Sequence, residues 1–131
     1  MEFGDFTKEM YLVNFEEYKS GEIIFQDGDV GDWVYVITKG EVEISKVAHG
    51  KKIVIEVLKE GDVFGEGSFF DKQPRSATAK ALNDVAVGMF DKEYLNEQYS
   101  KLPNNFRVII AALVRRLKKM TAVAANLATK K

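Results

Sequence analysis

Cysteine is absent from this chain, histidine and tryptophan occur once each, and proline occurs twice. Each shortage closes off a class of chemistry. Without cysteine there is no disulfide framework, no thiolate metal site and no iron–sulfur cluster. The lone His49 cannot build the multi-histidine centre of a metal-using, cupin-like barrel enzyme. Its place beside Gly50 reads as a solvated hairpin turn, too far from any serine motif for a Ser-His-Asp set, and a haem would lack a second ligand. No apolar run approaches the ~18 residues of a membrane span. The N-terminal "MEFGDFTKEM" carries acids where a signal peptide carries bases. These absences lead us to expect a non-enzymatic, cytoplasmic protein with no metal, no cofactor and no membrane insertion.

What is present fits one domain over residues 1–131, with 46% hydrophobic and 30% charged residues, enough to bury most of its apolar surface. The net charge of −1 conceals an asymmetry. Lys101, Arg107, Arg115, Arg116, Lys118, Lys119, Lys130 and Lys131 form a stretch with no Asp or Glu, whereas the first hundred residues carry a net −9. A basic tail on an acidic body suits nucleic acid, an anionic surface, an acidic neighbour, or simply a solvated helix face complementing its own body.

From residue 11 to about 90, short β-branched and aromatic runs alternate with turn residues. "YLVNFEEY", "EIIF", "WVYVIT", "EVEISKV" and "KKIVIEVL" are each followed by a glycine-bearing turn, and "DVAVGMF" closes the series. Turn signals every eight to twelve residues favour an antiparallel barrel or sandwich. In "EVEISKV" the alternation places Val42, Ile44 and Lys46 on one face and Glu41, Glu43 and Ser45 on the other.

The character changes at Asp91, a candidate N-cap for "KEYLNEQYSKL". After Pro103, Phe106, Ile110, Leu113, Leu117, Met120, Ala124 and Leu127 recur at spacings of four and three. Such a seam suits helix pairing, and so a homodimer through a helix over 104–127; the same stripe would also serve packing on the strands. The helical part is expected over about 91–128.

Between "KKIVIEVL" and the last strand, residues 64–79 read "FGEGSFFDKQPRSATA", with Glu66 and Arg75 among small residues. A guanidinium offers a planar fork of donors that matches two phosphate oxygens. A carboxylate accepts from sugar hydroxyls but repels phosphate, so it must grip the other end of the ligand. Gly65, Gly67 and Ser68 let backbone N–H groups approach an anion, and Ser76 adds a hydroxyl. The pattern describes a small anion that also bears hydroxyls. Spacing alone equally suits a surface loop whose Glu and Arg make an exposed pair worth ~0–1 kcal/mol.

The stretch "FGE…PRSAT", together with "YKSGEIIFQDGDVGDWVYVITKGEVEIS" and "VIEVLKEGDVFGE", resembles the cyclic nucleotide-binding domain family over roughly residues 11–125. The resemblance implies a mainly β fold with C-terminal helices: an antiparallel, double-stranded, jelly-roll-like β-roll, then a short helix and a long dimerisation-type helix. It implies a non-catalytic sensor of cyclic AMP, with cyclic GMP as the other candidate, that couples binding to movement of the C-terminal helix. Glu66 would take the ribose 2′-hydroxyl and Arg75 the cyclic phosphate, with Gly65, Ser68 and Ser76 around that phosphate. Ile44 and Glu56 match positions on the base side of the roll. Gly67 departs from the family, which has an apolar residue there. "RRLKKMTAVAANLA" resembles the dimer helix of bacterial cyclic AMP receptors, which places Met120 and Thr121 at the purine, Thr121 bonding the adenine amino group across the dimer, and Arg116 near the mouth of the pocket. An ordinary helix-surface threonine remains the alternative for Thr121. The likeness also raises the sensing part of a DNA-binding regulator. With no helix-turn-helix after the long helix, no sequence-specific DNA binding is expected of this chain alone.

Overall fold

The structure, a computed structural model, describes residues 10–129. In chain order the elements are β1 (Leu12–Tyr18), β2 (Ile23–Phe25), β3 (Tyr35–Lys39), β4 (Val42–Ala48), β5 (Lys51–Leu58), β6 (Val63–Phe64), α1 (Glu66–Asp71), β7 (Thr78–Ala81), β8 (Val85–Phe90), α2 (Lys92–Lys101) and α3 (Asn104–Thr129). Two four-stranded antiparallel sheets, ordered β1-β8-β3-β6 and β2-β7-β4-β5, enclose the core. Ile37, Val42 and Val87 are wholly buried there, and Tyr35 stacks on Phe64 with ring centroids 4.9 Å apart. The mainly β roll with C-terminal helices is the expected architecture.

β6 and β7 were not legible as strands. β6 has two residues, below the length at which alternation registers, and β7 reads Thr-Ala-Lys-Ala, with alanine filling its core positions. Ala79 and Ala81 are completely buried, because a larger side chain would not fit between the sheets. The alternation on β4 does not separate a buried face from an exposed one. Glu43 and Ser45, on the face opposite Val42 and Ile44, are buried as well. Lys80 stands directly across from Glu43, and Lys52 forms an ion pair with it, so long cationic stems cover that face. A register shift opposite Ile44 and Ser45 bulges β5 at Ile55 and turns that side chain toward the interior.

His49 and Gly50 form the two-residue turn between β4 and β5, both at positive φ, as a tight hairpin requires. Asp91 caps α2, its carboxylate accepting from the N–H groups of Glu93 at 3.0 Å and Tyr94 at 3.3 Å. Pro103 separates α2 from α3. No described helix is long and apolar enough to cross a membrane.

The expected seam is not the face by which α3 rests on the roll. Arg107, Ala111, Val114, Lys118, Ala122, Ala125 and Thr129 turn inward, and Ala125 is buried. Phe106, Leu113, Leu117, Met120 and Leu127 remain about half or more exposed. Small residues let the helix approach closely, while most of the bulky stripe points away; Ile110 is half-buried against Phe69 and Phe70, and Leu117 reaches the cleft. Lys130 and Lys131 lie outside the described residues.

Asp91→Ala removes a side chain that satisfies two helix-end donors. The substitution should destabilise the fold by about 1 kcal/mol, measured as a lower urea midpoint with an unchanged m-value.

Candidate functional site

Arg75 is the centre of the site, and three tethers fix its segment. Its N–H donates to Asp29 O at 2.8 Å, its carbonyl accepts from Gly28 N at 2.7 Å, and Lys46 Nζ donates to Ser76 O at 2.6 Å. The chain between α1 and β7 is thereby held to the β2–β3 loop and to β4 without regular structure of its own.

The guanidinium points inward and is only 4% exposed. Its Nη1 donates to Gly65 O at 2.8 Å and Nη2 to Trp33 O at 2.9 Å, while the group lies 4.2 Å from the centre of the Phe25 ring. These contacts use two of its five N–H donors. No carboxylate lies within ion-pair distance of it among the described residues. Burial pulls its pKa below the ordinary guanidinium value, opposed by Tyr35, Asp32, Asp29 and Glu66. A buried cation without a carboxylate partner is costly, and an anion placed beside it relieves that cost.

Gly65 joins β6 to α1 at φ +83°, a conformation that favours glycine. A side chain here would also place Cβ 2.7 Å from Trp33 O and 2.9 Å from Arg75 Nη1. The carbonyl that orients the guanidinium therefore depends on this residue being glycine.

Beside Arg75 lies a cleft of about 210 Å³, open on one side. Gly65, Glu66, Gly67, Ser68, Arg75 and Ser76 line one end. Ile44 and Glu56, from β4 and β5, and Thr121, from α3, line the other. Nine of the eleven candidate positions thus surround one space. Ser68 is buried and Glu66 exposed, so the acid sits at the rim and the base at the floor. Thr121 Oγ1 donates to Leu117 O at 3.0 Å, which leaves its lone pairs free to accept.

Arg116 and Met120 are the two exceptions. Neither lines the cleft; Arg116 is exposed and Met120 is 63% exposed. The helix faces the cleft through Val114, Leu117, Lys118 and Thr121, and 3.6 residues per turn carry positions 116 and 120 away from it. Sequence reasoning missed Val114 and Lys118, which lie off the heptad seam, and read Leu117 only as a seam residue. It also missed Phe25 and Phe64, whose rings floor the cleft beside Arg75. Among the described residues, no group of three or more His, Cys, Asp or Glu could hold a metal ion.

Comparison with known proteins bears on the family and the fold. A family model described as the cyclic nucleotide-binding domain matches residues 15–101. The chain is 30% identical over 122 residues to the CRP-like cAMP-activated global transcriptional regulator of Mycobacterium tuberculosis, covering 92% of this chain and 53% of that protein. The cAMP-bound form of the EAL enzyme Bd1971 superimposes with a TM-score of 0.79 at 32% identity, covering 86% of this chain and 30% of that one. Thermus thermophilus catabolite activator protein gives a TM-score of 0.69 at 27% identity, covering 96% and 59% respectively. The chain spans about half the length of the mycobacterial regulator, 53%. With the family model matching residues 15–101 and the β-roll in place, the chain belongs to the cyclic nucleotide-binding domain family.

Proposed function

We propose that this chain is a non-catalytic sensor that binds cyclic AMP in the Arg75 cleft. The observation that carries the reading is the buried guanidinium, fixed by two carbonyls yet left without a carboxylate partner among the described residues. A singly charged cyclic phosphate supplies the missing anion, and Glu66 at the rim accepts from the ribose 2′-hydroxyl. Gly65, Ser68 and Ser76 surround the phosphate, with Gly67 leaving the backbone uncovered. Ile44, Glu56 and Thr121 meet the base, and Thr121 offers an acceptor to the adenine amino group. Cyclic AMP is preferred to cyclic GMP because the mycobacterial relative is described as cAMP-activated and Bd1971 has a cAMP-bound form; a second Bd1971 form holds cGMP, so both belong in the titration.

The cleft is smaller than the ~300–1,000 Å³ of common ligand pockets. A nucleotide that fills it presses on Val114, Leu117 and Thr121, and so shifts α3 against the roll. Reversing a 1:99 equilibrium to 99:1 takes about 5.5 kcal/mol of differential binding. One charge-assisted contact does not reach that figure; phosphate, ribose and base together do.

The exposed seam of α3 supports a second element of the reading, a homodimer through this helix. Phe106, Leu113 and Leu127 are half or more exposed at coiled-coil spacing. Sedimentation equilibrium should give a dimer, and Leu113→Arg with Leu127→Arg a monomer. A monomeric parent at high micromolar concentration would refute this element.

Isothermal titration should detect cyclic AMP binding; no heat with either nucleotide at millimolar ligand would overturn the assignment. Arg75→Ala should weaken binding by about a hundredfold or more, and a loss below tenfold would remove Arg75 as the anchor. Gly65→Ala should destabilise the protein by more than ~1 kcal/mol, because its Cβ meets Trp33 O and Arg75 Nη1 in a positive-φ backbone. Chemical denaturation reads that loss.

A further inference from the structure

The least self-sufficient element of the fold carries three residues of the cleft, Glu66, Gly67 and Ser68. α1 has six residues, a left-handed residue at each end (Gly65 and Lys72) and no side-chain cap. So short a helix is not held by its own hydrogen bonds. Its last residue, Asp71, puts a negative charge at the end of the helix dipole where a cation belongs, and its last turn contains no base. Glu66 and Ser68 can face the cleft only if something else fixes this helix.

Lys118 of α3 does so. Its Nζ lies 2.5 Å from Asp71 Oδ2, with the two side chains only 22% and 12% exposed. On its way there the lysine crosses α1 at Gly67, where an added Cβ would stand 3.0 Å from Lys118 Cε and 3.7 Å from Nζ. Val114 closes the same spot, 4.0 Å from that position. A glycine inside a helix costs about 1 kcal/mol relative to alanine, and here it forms the groove in which the lysine stem lies. Gly67, Lys118 and Asp71 are thus one device, and Lys118 also lines the cleft.

We propose that Lys118 is a positioning residue of the nucleotide site: through Asp71 it straps the long helix over α1, which fixes Glu66 and Ser68 and retards escape of the ligand. The part of this inference that concerns ligand escape rests on the cyclic nucleotide reading. The part that concerns α1 does not. The pair differs from an exposed ion pair because truncating either partner strands a largely buried charge.

Two measurements on the whole chain separate these parts. In ligand-free protein, hydrogen exchange of the residue 66–72 amides should accelerate several-fold in Lys118→Met and in Asp71→Asn, while β3 and β8 exchange as in the parent. Lys118→Arg should restore slow exchange. In stopped flow, a fluorescent cyclic AMP analogue should leave each single variant about tenfold faster, and the double variant should be no faster than either single one. Unchanged exchange in both single variants would overturn the strap whether or not nucleotide binds. Additive effects on dissociation would overturn the coupling between the two residues. A parent that binds no cyclic nucleotide refutes the functional reading and leaves the exchange measurement to decide the strap.

Discussion

The site depends on keeping a guanidinium charged, oriented and unneutralised inside a protein. Arg75 meets that demand with backbone carbonyls. Gly65 O and Trp33 O accept from its two terminal nitrogens and fix the plane of the fork, and Phe25 lies against its face. Carbonyl dipoles and a ring face stabilise the cation without cancelling its charge. A carboxylate at salt-bridge distance would have satisfied Arg75 better and left it a weaker anion receptor. Asp32, Asp29 and the exposed Glu66 oppose the loss of its charge, yet among the described residues none forms an ion pair with it.

The two halves of the motif are supported in different ways. The Arg75–Ser76 half hangs on the roll through two backbone hydrogen bonds to the β2–β3 loop and one from Lys46. Lys46 belongs to β4 and the loop partners Gly28 and Asp29 lie between β2 and β3, so this half is tied to the roll itself. The Glu66–Asp71 half is a short helix leaning on α3, and Phe70 packs edge-on against Tyr99 of α2. Side-chain contacts with movable helices give lower local stability than a sheet ladder. The Arg75 end of the motif is therefore tied to the roll, and the Glu66 end depends on the helices.

Most of the fold was legible because its strands obey simple periodicity between glycine turns, and α2 announces itself through Asp91 and Pro103. β7 escaped because alanine fills the core there, and β6 because two residues carry no period. The motif around Arg75 was legible as chemistry: a fork, a carboxylate and small residues between them. The contributions of α3 were read less well, for a physical reason. Hydrophobicity points to the bulkiest stripe, Phe106 through Leu127, whereas close packing on α1 and the roll selects small residues such as Ala111, Ala122 and Ala125. Position 118, a lysine between the two stripes, carries no apolar signal at all. Only the glycine at 67 hinted that something must cross there.

The charge asymmetry of the chain resolves in the same terms. A basic helix complementing an acidic body suggests a broad electrostatic interface, yet among the described residues only Lys118 of the α3 bases forms an ion pair with the body. Arg115, Arg116 and Lys119 stay exposed beside the apolar seam. Exposed pairs contribute at most about 1 kcal/mol, and salt screens them. The one pair that is largely buried joins the long helix to the element carrying Glu66. The helix thus has two faces: one rich in small residues, with the half-buried Lys118, that packs on the cleft and α1, and a bulkier apolar stripe that is largely exposed except at Ile110 and at Leu117, which lines the cleft. On the proposed reading, a ligand that shifts α3 from the first face would also change the setting of the second.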